Sequence, residues 1–260
     1  MLSLQNISYS VGKKDIVKNI TVDFLPGEFT MILGPNGSGK STFLKLFSGE
    51  LRSKGGSISY SDKKIATLKK EDLAKVRAVM SQQPELEFPL SVEEVVMMGR
   101  YPHFTFNPGR HDESICNEVI AQMKIEDLKN RNYLTLSGGE KQRVQFARVL
   151  AQIWDMPADG HRYLFLDEPL TNLDINYQQE FLTIARSLTK TDTVLVAVMH
   201  DVNLAVQYAD KLIFLKEGEM VSYGKPLEVL SEELIKNVFN VDTKIINNPV
   251  SGLPLMVYAN

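Results

Sequence analysis

Between Phe29 and Phe47 the chain reads FTMILGPNGSGKSTFLKLF, and Gly34–Ser41 within it matches the pattern G-x-x-x-x-G-K-[ST]. The short apolar run before the match is typical of a buried strand, and the residues after it have helical spacing. Glycines in such a turn let backbone N–H groups point at phosphates, while Lys40 neutralises charge and the Ser41 hydroxyl ligates Mg²⁺. The residues expected to contact the phosphates are Gly34, Pro35, Asn36, Gly37, Ser38, Gly39, Lys40, Ser41 and Thr42. The stretch therefore predicts an α/β fold with a nucleotide site.

A second glycine-containing stretch, LSGGEKQR at Leu136–Arg143, indicates which kind of nucleotide site this is. Its small residues are Ser137, Gly138 and Gly139. They are expected to expose N–H groups at the start of a helix from Glu140 onward, a geometry that receives a phosphate. The stretch strongly resembles the signature of the ATP-binding cassette (ABC) family. The resemblance implies a half-site that completes the ATP site of another subunit.

The acidic pair Asp167-Glu168 follows a third apolar run, Tyr163–Leu166, and marks the end of a predicted buried strand. The carboxyl end of such a strand faces the ligand crevice of an open α/β sheet. The resemblance implies that Asp167 holds the Mg²⁺ shell and that Glu168 is the general base, which polarises the water attacking the γ-phosphate. The segment Leu170–Asp174 looks like the family's D-loop, which crosses the dimer interface.

Two further polar residues complete the resemblance. His200 ends the apolar run Val194–Met199, so its imidazole is expected at the same edge of the sheet. In the family this histidine contacts the γ-phosphate and orients the general base. Gln82 follows Val79–Ser81, where the family has its Q-loop glutamine, a catalytic residue and Mg²⁺ ligand. Gln83 is adjacent, which leaves a one-residue alternative open.

The position that usually stacks on adenine departs from the family pattern. Relatives place an aromatic ring about where Val11 lies, and a valine cannot stack on a base. Tyr9 shares its strand face only if the segment is extended, and we expect Tyr9 to be a core or cross-strand residue. The contact to the base is therefore left unassigned.

The expected fold is α/β: a P-loop NTPase core of the ABC ATPase type, with a mixed sheet and an inserted α-helical subdomain. Residues 1–240 are expected to form one nucleotide-binding domain. Residues 1–83 and 151–240 alternate short β-rich runs with helical stretches, as in a nucleotide-binding lobe. Residues 84–150 form the inserted subdomain with the signature. Residues 241–260 form a C-terminal extension, expected to be a hairpin or an irregular cover.

Several elements can be placed more closely. Strands are expected at Leu2–Tyr9 and Ile16–Phe24. The best helix candidates of the inserted subdomain are Ser91–Arg100, His111–Met123 and Glu140–Gln152. The first of these begins with a capping box, because Ser91 is followed three residues later by Glu94.

Composition limits the function classes. The chain has 260 residues and a formal net charge of −3, which gives no reason to expect nucleic acid as a partner. Its single cysteine, Cys116, excludes an intrachain disulfide and suits a reducing compartment. No secretory signal is evident, and no apolar run approaches the ~20 residues needed to span a bilayer. A role at a membrane would need a partner protein.

Two segments indicate the substrate class. Val95–His103 resembles a segment of the ABC ATPases that serve importers of ferric siderophores, cobalamin and haem. Its glycine and proline are expected to break the helix, leaving Arg100 and His103 near a surface against which a permease helix packs. The long connection Ala151–Tyr163, with Trp154, resembles that of the haem-import branch. Haem is favoured, with a siderophore or cobalamin as the alternatives. No direct binding of haem to this subunit is expected.

The resemblance also implies partners and a location. Two copies would form a head-to-tail homodimer with two ATP molecules at the interface. A polytopic membrane permease, with a substrate-binding protein, would complete the importer. This subunit would then be peripheral, on the cytoplasmic face of the bacterial inner membrane. The alternative of another class is a soluble ABC ATPase that acts without a permease. It is less favoured, because the chain shows neither a second cassette nor coiled-coil heptads.

Overall fold

The computed structural model describes residues 1–81, 86–157, 160–171, 173–190 and 192–259. The chain divides into two compact units. The first unit combines Met1–Thr67 with Ala185–Asn260, and the second unit is Leu68–Ile184.

The strands, in chain order, are β1 (Leu2–Val11), β2 (Lys14–Phe24), β3 (Phe29–Leu33), β4 (Gly55–Tyr60), β5 (Lys63–Lys64), β6 (Arg77–Met80), β7 (Arg162–Asp167), β8 (Thr193–Val198), β9 (Lys211–Lys216), β10 (Glu219–Gly224), β11 (Thr243–Asn247) and β12 (Pro254–Tyr258). The α-helices are α1 (Lys40–Phe47), α2 (Lys70–Val76), α3 (Val92–Met97), α4 (Arg110–Gln122), α5 (Gly138–Gln152), α6 (Ile175–Thr189), α7 (Val202–Tyr208), α8 (Pro226–Val229) and α9 (Glu232–Phe239). Short 3-10 helices lie at Ile65–Thr67, Met98–His103, Glu126–Leu128 and Tyr133–Thr135.

In the first unit, β3 lies between β8 and β9 and is parallel to both. All five residues of β3 and all six of β8 are buried, as expected for apolar strands covered on both faces. β10 pairs antiparallel with β9, so the sheet is mixed, as predicted. The parallel arrangement places the residues that follow β3 and β8 at one edge of the sheet.

A second sheet of the first unit has the order β2-β1-β4-β5 and is antiparallel. The two predicted strands at the start of the chain are present and are both longer than predicted. They form a hairpin in which Val11 is opposite Lys14, and Gly12 in the connection has a φ of +59°. Positive φ at a tight hairpin turn favours glycine, which explains why the strands can extend to the turn.

The C-terminal extension is a hairpin, one of the two forms expected for it. β11 pairs antiparallel with β12, and Thr243 is opposite Tyr258. The preceding helix, α9, ends at Phe239 and is followed by its C-cap Asn240, whose φ is +57°. A left-handed residue at this position ends the helix and turns the chain into the hairpin.

The second unit contains the parallel pair β6 and β7 and the helices α2 to α5. The predicted helix at Ser91–Arg100 begins where expected, with the capping box confirmed. The Ser91 N–H donates to Glu94 Oε2 over 2.7 Å, and the Glu94 N–H donates to Ser91 Oγ over 3.3 Å. The α-helix ends at Met97, however, and continues as a 3-10 helix to His103. Among the described residues, no helix is both long and apolar enough to cross a bilayer.

Candidate functional site

The loop Gly34–Ser41 joins β3 to α1, as the sequence predicted. Lys40 is 6% exposed, and its Nζ donates hydrogen bonds to the carbonyl oxygens of Gly34 (2.9 Å) and Pro35 (3.1 Å). The ammonium group is therefore held inside the curve of the loop by backbone oxygens. Asn36 and Gly37 are exposed at the rim.

Two glycines of this loop are required by close approach of other backbone segments. A Cβ at Gly34 would lie 2.2 Å from the Leu215 carbonyl oxygen, and a Cβ at Gly39 would lie 2.5 Å from the Ile16 carbonyl oxygen. Gly39 also has a φ of +99°, in the region that favours glycine. Any side chain at either position would force the loop away from its supporting strands.

The donors in the loop suit an anion. The Ser38 hydroxyl oxygen is buried and has no hydrogen-bond partner among the described residues. A buried hydroxyl without a partner costs free energy unless a ligand or water satisfies it. Together with the buried Lys40 ammonium and the glycine-rich turn before a helix, this group fits a phosphate.

A support for the loop was missed by the sequence analysis. The Gly218 N–H donates to the Ser38 carbonyl oxygen (3.0 Å), and the Gly218 carbonyl oxygen accepts from the Lys18 N–H (2.8 Å). A Cβ at Gly218 would lie 2.6 Å from the Ile16 carbonyl oxygen. The one signal in the sequence was an ordinary Glu-Gly turn, which does not reveal that its backbone holds the phosphate loop.

His200 lies at the end of β8, as predicted. Because the Met199 N–H donates to the Ile32 carbonyl oxygen (3.0 Å), His200 and the phosphate loop leave neighbouring strands of one sheet at the same edge. His200 is exposed, and Asp201 caps α7 by accepting from the Leu204 N–H (2.9 Å). Gln82 and the alternative Gln83 lie outside the described residues.

The acidic pair lies at the end of β7, in the second unit. Asp167 is buried at 5% exposed, and Glu168 is half-buried. Glu168 has a φ of +50°, a backbone conformation that costs free energy for a residue with a side chain. Its carbonyl oxygen accepts from the Thr171 hydroxyl over 3.1 Å, which stabilises the turn. Strain of this kind is frequent where a side chain must be aimed for a function.

The segment that resembles a D-loop connects this turn to α6. Asp174 caps α6, because its Oδ1 accepts from the Tyr177 N–H over 3.0 Å. Asn172 lies outside the described residues. The Gln142 amide, from the signature helix, donates to the Pro169 carbonyl oxygen over 2.6 Å. Within the second unit, the signature helix therefore contacts the chain directly after Glu168.

The signature stretch begins α5, with one correction to the predicted boundary. The helix starts at Gly138 and not at Glu140, because Ser137 is its N-cap. The Glu140 N–H donates to Ser137 Oγ (3.3 Å), and the Ser137 N–H donates to Glu140 Oε2 (2.7 Å), which forms a capping box. Ser137 and Gly138 are exposed, so the first turn of this helix is open to a second molecule.

The expectation that Arg100 lies near the surface is wrong. Arg100 is 1% exposed, and its guanidinium pairs with Asp112 (2.9 Å) and Asp155 (2.6 Å). It also donates to the Ala151 carbonyl oxygen over 2.8 Å. His103 is half-buried, and its Nε2 lies 2.8 Å from the Gln152 carbonyl oxygen. Burial is the main reason why the pKa of His103 is below its ordinary value.

The physical reason for this error is the role of Gly99. We predicted that the glycine breaks the helix and exposes the residues after it. A Cβ at Gly99 would lie 2.1 Å from the Arg148 carbonyl oxygen, so the glycine permits close packing of the 3-10 helix on α5. Arg100 is carried into the interior by this packing. Acidic partners distant in the sequence compensate its charge there.

The connection after α5 has defined contacts in its described part. The Trp154 Nε1 donates to Glu118 Oε2 (3.1 Å), and Asp155 Oδ1 lies 2.8 Å from His111 Nε2. The Arg162 guanidinium donates to the Trp154 carbonyl oxygen over 2.9 Å. The start of this connection is therefore held by α4 and by the buried Arg162, unlike an unconstrained surface loop.

The region expected to contact adenine has no aromatic ring at its usual position. Val11 is 61% exposed. Tyr9 is half-buried and is opposite Val17 in the β1–β2 register, as expected for a cross-strand residue. The Lys54 ammonium lies 6.0 Å from the centre of the Tyr9 ring.

A protein-family model described as ABC transporter matches residues 17–171, a region that includes the phosphate loop, the signature stretch and the acidic pair. The chain belongs to the ABC transporter family. The match confirms the resemblance drawn from the motifs, and ATP binding and ATP hydrolysis are properties of this family.

Three curated relatives match the chain over nearly its full length. All are named hemin import ATP-binding protein HmuV. That of Gloeobacter violaceus is 43% identical and covers 99% of this chain and 94% of its own length. That of Escherichia coli O157:H7 is 39% identical, with 99% of both chains covered. That of Bordetella avium is 40% identical, with 98% of both covered.

Solved structures of ABC proteins share the fold. A metal-chelate type ABC transporter in an inward-facing conformation has a TM-score of 0.83 at 24% identity, covering 100% of this chain and 97% of that chain. Dimeric MJ0796, a bacterial ABC transporter cassette, has a TM-score of 0.74 at 27% identity, covering 86% and 98%. The same values hold for its dimeric post-hydrolysis state bound to ADP and Pi. The predicted fold class, an ABC-type P-loop NTPase, is confirmed.

Proposed function

We propose that this chain is the ATP-hydrolysing subunit of an ABC importer and couples hydrolysis to the uptake of haem through a partner permease. The observation that supports this most is the 39–43% identity to three hemin import ATP-binding proteins. Those matches extend over 98–99% of the chain and so include the C-terminal hairpin, beyond the family match at residues 17–171. The alternative is an importer of a ferric siderophore or of cobalamin, in which this chain would have the same ATP-hydrolysing role.

The phosphates of ATP are assigned to the loop Gly34–Ser41 and Thr42. The buried ammonium of Lys40, the buried hydroxyl of Ser38 and the crowded glycines support this assignment. The Ser41 hydroxyl, the buried Asp167 carboxylate and Gln82 would hold Mg²⁺, because hard oxygen ligands suit this ion. The ion supplies charge neutralisation at the β- and γ-phosphates when bound.

Hydrolysis is assigned to the residues at the strand ends. Glu168 would accept a proton from the attacking water, and its constrained backbone supports a fixed direction for the carboxylate. His200 would donate a hydrogen bond toward the γ-phosphate and orient Glu168, and Gln82 would help to hold the water. These residues act by positioning and by stabilising charge, as is general for phosphoryl transfer.

Glu168→Gln tests the general base. We expect ATP binding to stay intact and hydrolysis to fall at least ~10²-fold, because the amide cannot accept the proton. The ATP-bound dimer should then accumulate, which light scattering would detect. Glu219→Gln is the matched control, since that carboxylate is 64% exposed and pairs with Lys18 Nζ over 3.1 Å. Near-normal turnover of Glu168→Gln would remove Glu168 from this role.

The second half of each ATP site is assigned to a second copy of the chain. Ser137, Gly138 and Gly139 would close over the γ-phosphate bound by the other copy, in a head-to-tail homodimer. The exposure of Ser137 and Gly138 at the start of α5 supports this assignment. The dimeric structures of the related cassette MJ0796 also support it.

The surface for the permease is assigned to the aromatic segment Tyr101–Phe106. Tyr101 is 59% exposed and Phe106 is 90% exposed, and the Tyr101 ring packs edge-on against Phe104 at 5.7 Å between centroids. Exposed aromatic side chains in one short segment are typical of an interface. This assignment replaces the expectation that Arg100 contacts the permease, because Arg100 is buried. The subunit would thereby be peripheral to the cytoplasmic face of the membrane, in a complex that also has a substrate-binding protein.

Phe106→Ser tests this surface. The substitution should leave the ATPase activity of the isolated chain within about twofold, because an exposed side chain contributes little to folding. It should weaken co-purification with the permease, because a buried aromatic anchor of an interface is lost. Leu227→Ser is the control, since Leu227 is 67% exposed on α8. If both variants bind the permease equally well, the surface is misplaced.

The substrate is tested on the reconstituted complex. Haem should stimulate ATP hydrolysis and enter vesicles, while a ferric siderophore and cobalamin should do neither. Stimulation by one of the latter would select the alternative importer. Stimulation by DNA or ribosomes without any permease would instead favour the soluble class of ABC ATPase.

A further inference from the structure

The C-terminal hairpin is joined to α7 by the side chain of Asn203. The Asn203 Nδ2 donates to the Met256 carbonyl oxygen (3.0 Å), and the Asn203 Oδ1 accepts from the Met256 N–H (2.8 Å). Both bonds are partly buried. The amide thus pairs with both backbone groups of one residue of β12, as a neighbouring strand would.

Two cavities border this contact. A cavity of about 520 Å³ is lined by Asn203 together with His200, Thr243, Met256 and Tyr258. A smaller cavity of about 150 Å³ is also lined by Asn203, with residues of the hairpin turn such as Asn248 and Leu253. Asn203 therefore lies between two cavities, and its two hydrogen bonds join α7 to β12 there.

The same short helix sets the position of His200. Asp201 caps α7, and Asn203 is the second residue of the helix, three residues after His200. On the side of β8, the backbone before His200 is held by the Met199–Ile32 hydrogen bond. The backbone after His200 is held by the first turn of α7.

The hairpin is also fastened to a second helix. Lys244 Nζ pairs with Glu232 Oε2 (3.1 Å), and the Ile245 N–H donates to Glu232 Oε1 (3.3 Å). Glu232 is the first residue of α9. Through β11 and β12, the hairpin thus connects the start of α9 to the start of α7.

We propose that Asn203 is a positioning residue for ATP hydrolysis. By fixing the first turn of α7 against β12, it holds the His200 imidazole where the γ-phosphate will be. The inference rests on the role proposed above for His200. It assigns to the C-terminal hairpin a part in catalysis, although the hairpin lies outside the residues that the family model matches.

Asn203→Leu tests the proposal, since leucine keeps the volume and removes both hydrogen bonds. We expect kcat for ATP hydrolysis by the full chain to fall about tenfold, because a small displacement of a positioned group has a large kinetic effect. The KM for ATP should stay within about twofold, because the phosphate loop is unchanged. Asn237→Leu is the control: its exposed amide on α9 accepts from Lys216 Nζ, far along the chain from His200. An unchanged kcat in folded Asn203→Leu overturns the proposal.

A double-mutant cycle separates positioning from a general loss of stability. His200→Ala should lose hydrolysis, and adding Asn203→Leu to it should cause no further loss, because both changes remove one function. Additive losses would overturn the proposal. If His200→Ala retains normal turnover, the role of His200 itself fails. If His200→Ala is inactive and Asn203→Leu is normal, only the present inference fails.

Asn203→Asp is a second variant of the full chain. Its carboxylate can still accept from the Met256 N–H but cannot donate to the Met256 carbonyl oxygen, so only one of the two bonds is kept. We expect its kcat to fall as well, with the KM for ATP within about twofold. A folded Asn203→Asp protein with the full kcat would overturn the proposal even if Asn203→Leu fails to fold.

Discussion

At the residue scale, Arg100 shows how a buried charge is retained. Its guanidinium is compensated by Asp112 on α4 and by Asp155 in the connection after α5. Burial acts to raise the pKa of each carboxyl, but hydrogen bonds that include those from Arg100 outweigh it, so both pKa values lie below the ordinary one. The resulting stability is present at neutral pH and is lost as the pH falls below about 4, through the lowered pKa values.

Arg100→Met should therefore destabilise the protein rather than disturb an interface. Removing one partner of a buried ion pair leaves carboxylates uncompensated and costs about 3–5 kcal/mol. Urea unfolding at pH 7 measures the change in the free energy of unfolding. Lys129→Met is the control, because the Lys129–Glu93 pair is partly exposed, at 30% and 42%, and should contribute less than about 1 kcal/mol. Equal effects of the two substitutions would contradict the importance of the buried pair.

At the element scale, the close approach of two backbones allows one helix of the second unit to pack on another. The 3-10 helix Met98–His103 lies against α5 at Gly99, where no Cβ can be accommodated. This contact sets the direction of the segment from Tyr101 to Phe106 and brings Arg100 to its acidic partners. The same glycine is thus needed both for the ion pairs and for the presentation of the aromatic segment.

Gly99→Ala should push the 3-10 helix away from α5. A Cβ 2.1 Å from the Arg148 carbonyl oxygen cannot be relieved by a rotamer change, so the backbone must shift, at a cost of about 1–3 kcal/mol. The melting temperature should fall, and permease binding should weaken with it. Gly109→Ala is the control in the same unit, because its nearest neighbour, Asp112 Oδ2, would be at an ordinary 3.7 Å. A Gly99→Ala protein as stable as this control would show that the packing adapts.

At the scale of the whole molecule, the chain carries two different features that we propose bind phosphate. The phosphate loop belongs to the first unit, and the exposed signature turn at Ser137 belongs to the second. Under the proposed function, each signature completes the site of the other copy. The dimer, and not the single chain, is then the unit that hydrolyses ATP.

Ser137→Arg tests this arrangement. A bulky cation at the signature turn should abolish hydrolysis and leave ATP binding by the monomer intact, since Lys40 lies on the other unit. Ser231→Arg is the matched control, because Ser231 also caps a helix, accepting from the Leu234 N–H over 3.1 Å. Mixing Ser137→Arg with Lys40→Ala should restore at most one competent site per heterodimer. Loss of ATP binding by the Ser137→Arg monomer would contradict a site shared between copies.

The sequence by itself determined the fold class, the phosphate loop, the signature stretch and the buried strands that lead to Glu168 and His200. These features depend on contiguous residues, because a glycine-rich turn, an apolar run or a capping box is formed by neighbours in the chain. For the same reason the capping box at Ser91 was predicted correctly. The roles of the individual site residues, Gln82 among them, stay predictions.

Only the tertiary structure decided what depends on residues far apart in the sequence. It placed Arg100 in the interior, because Gly99 packs on Arg148 and Asp155 supplies a countercharge 55 residues away. It showed Gly218 supporting the phosphate loop and Asn203 joining the C-terminal hairpin to the helix after His200. No local pattern encodes such contacts, since a glycine or an asparagine gives no sign in the sequence of which distant backbone it will meet.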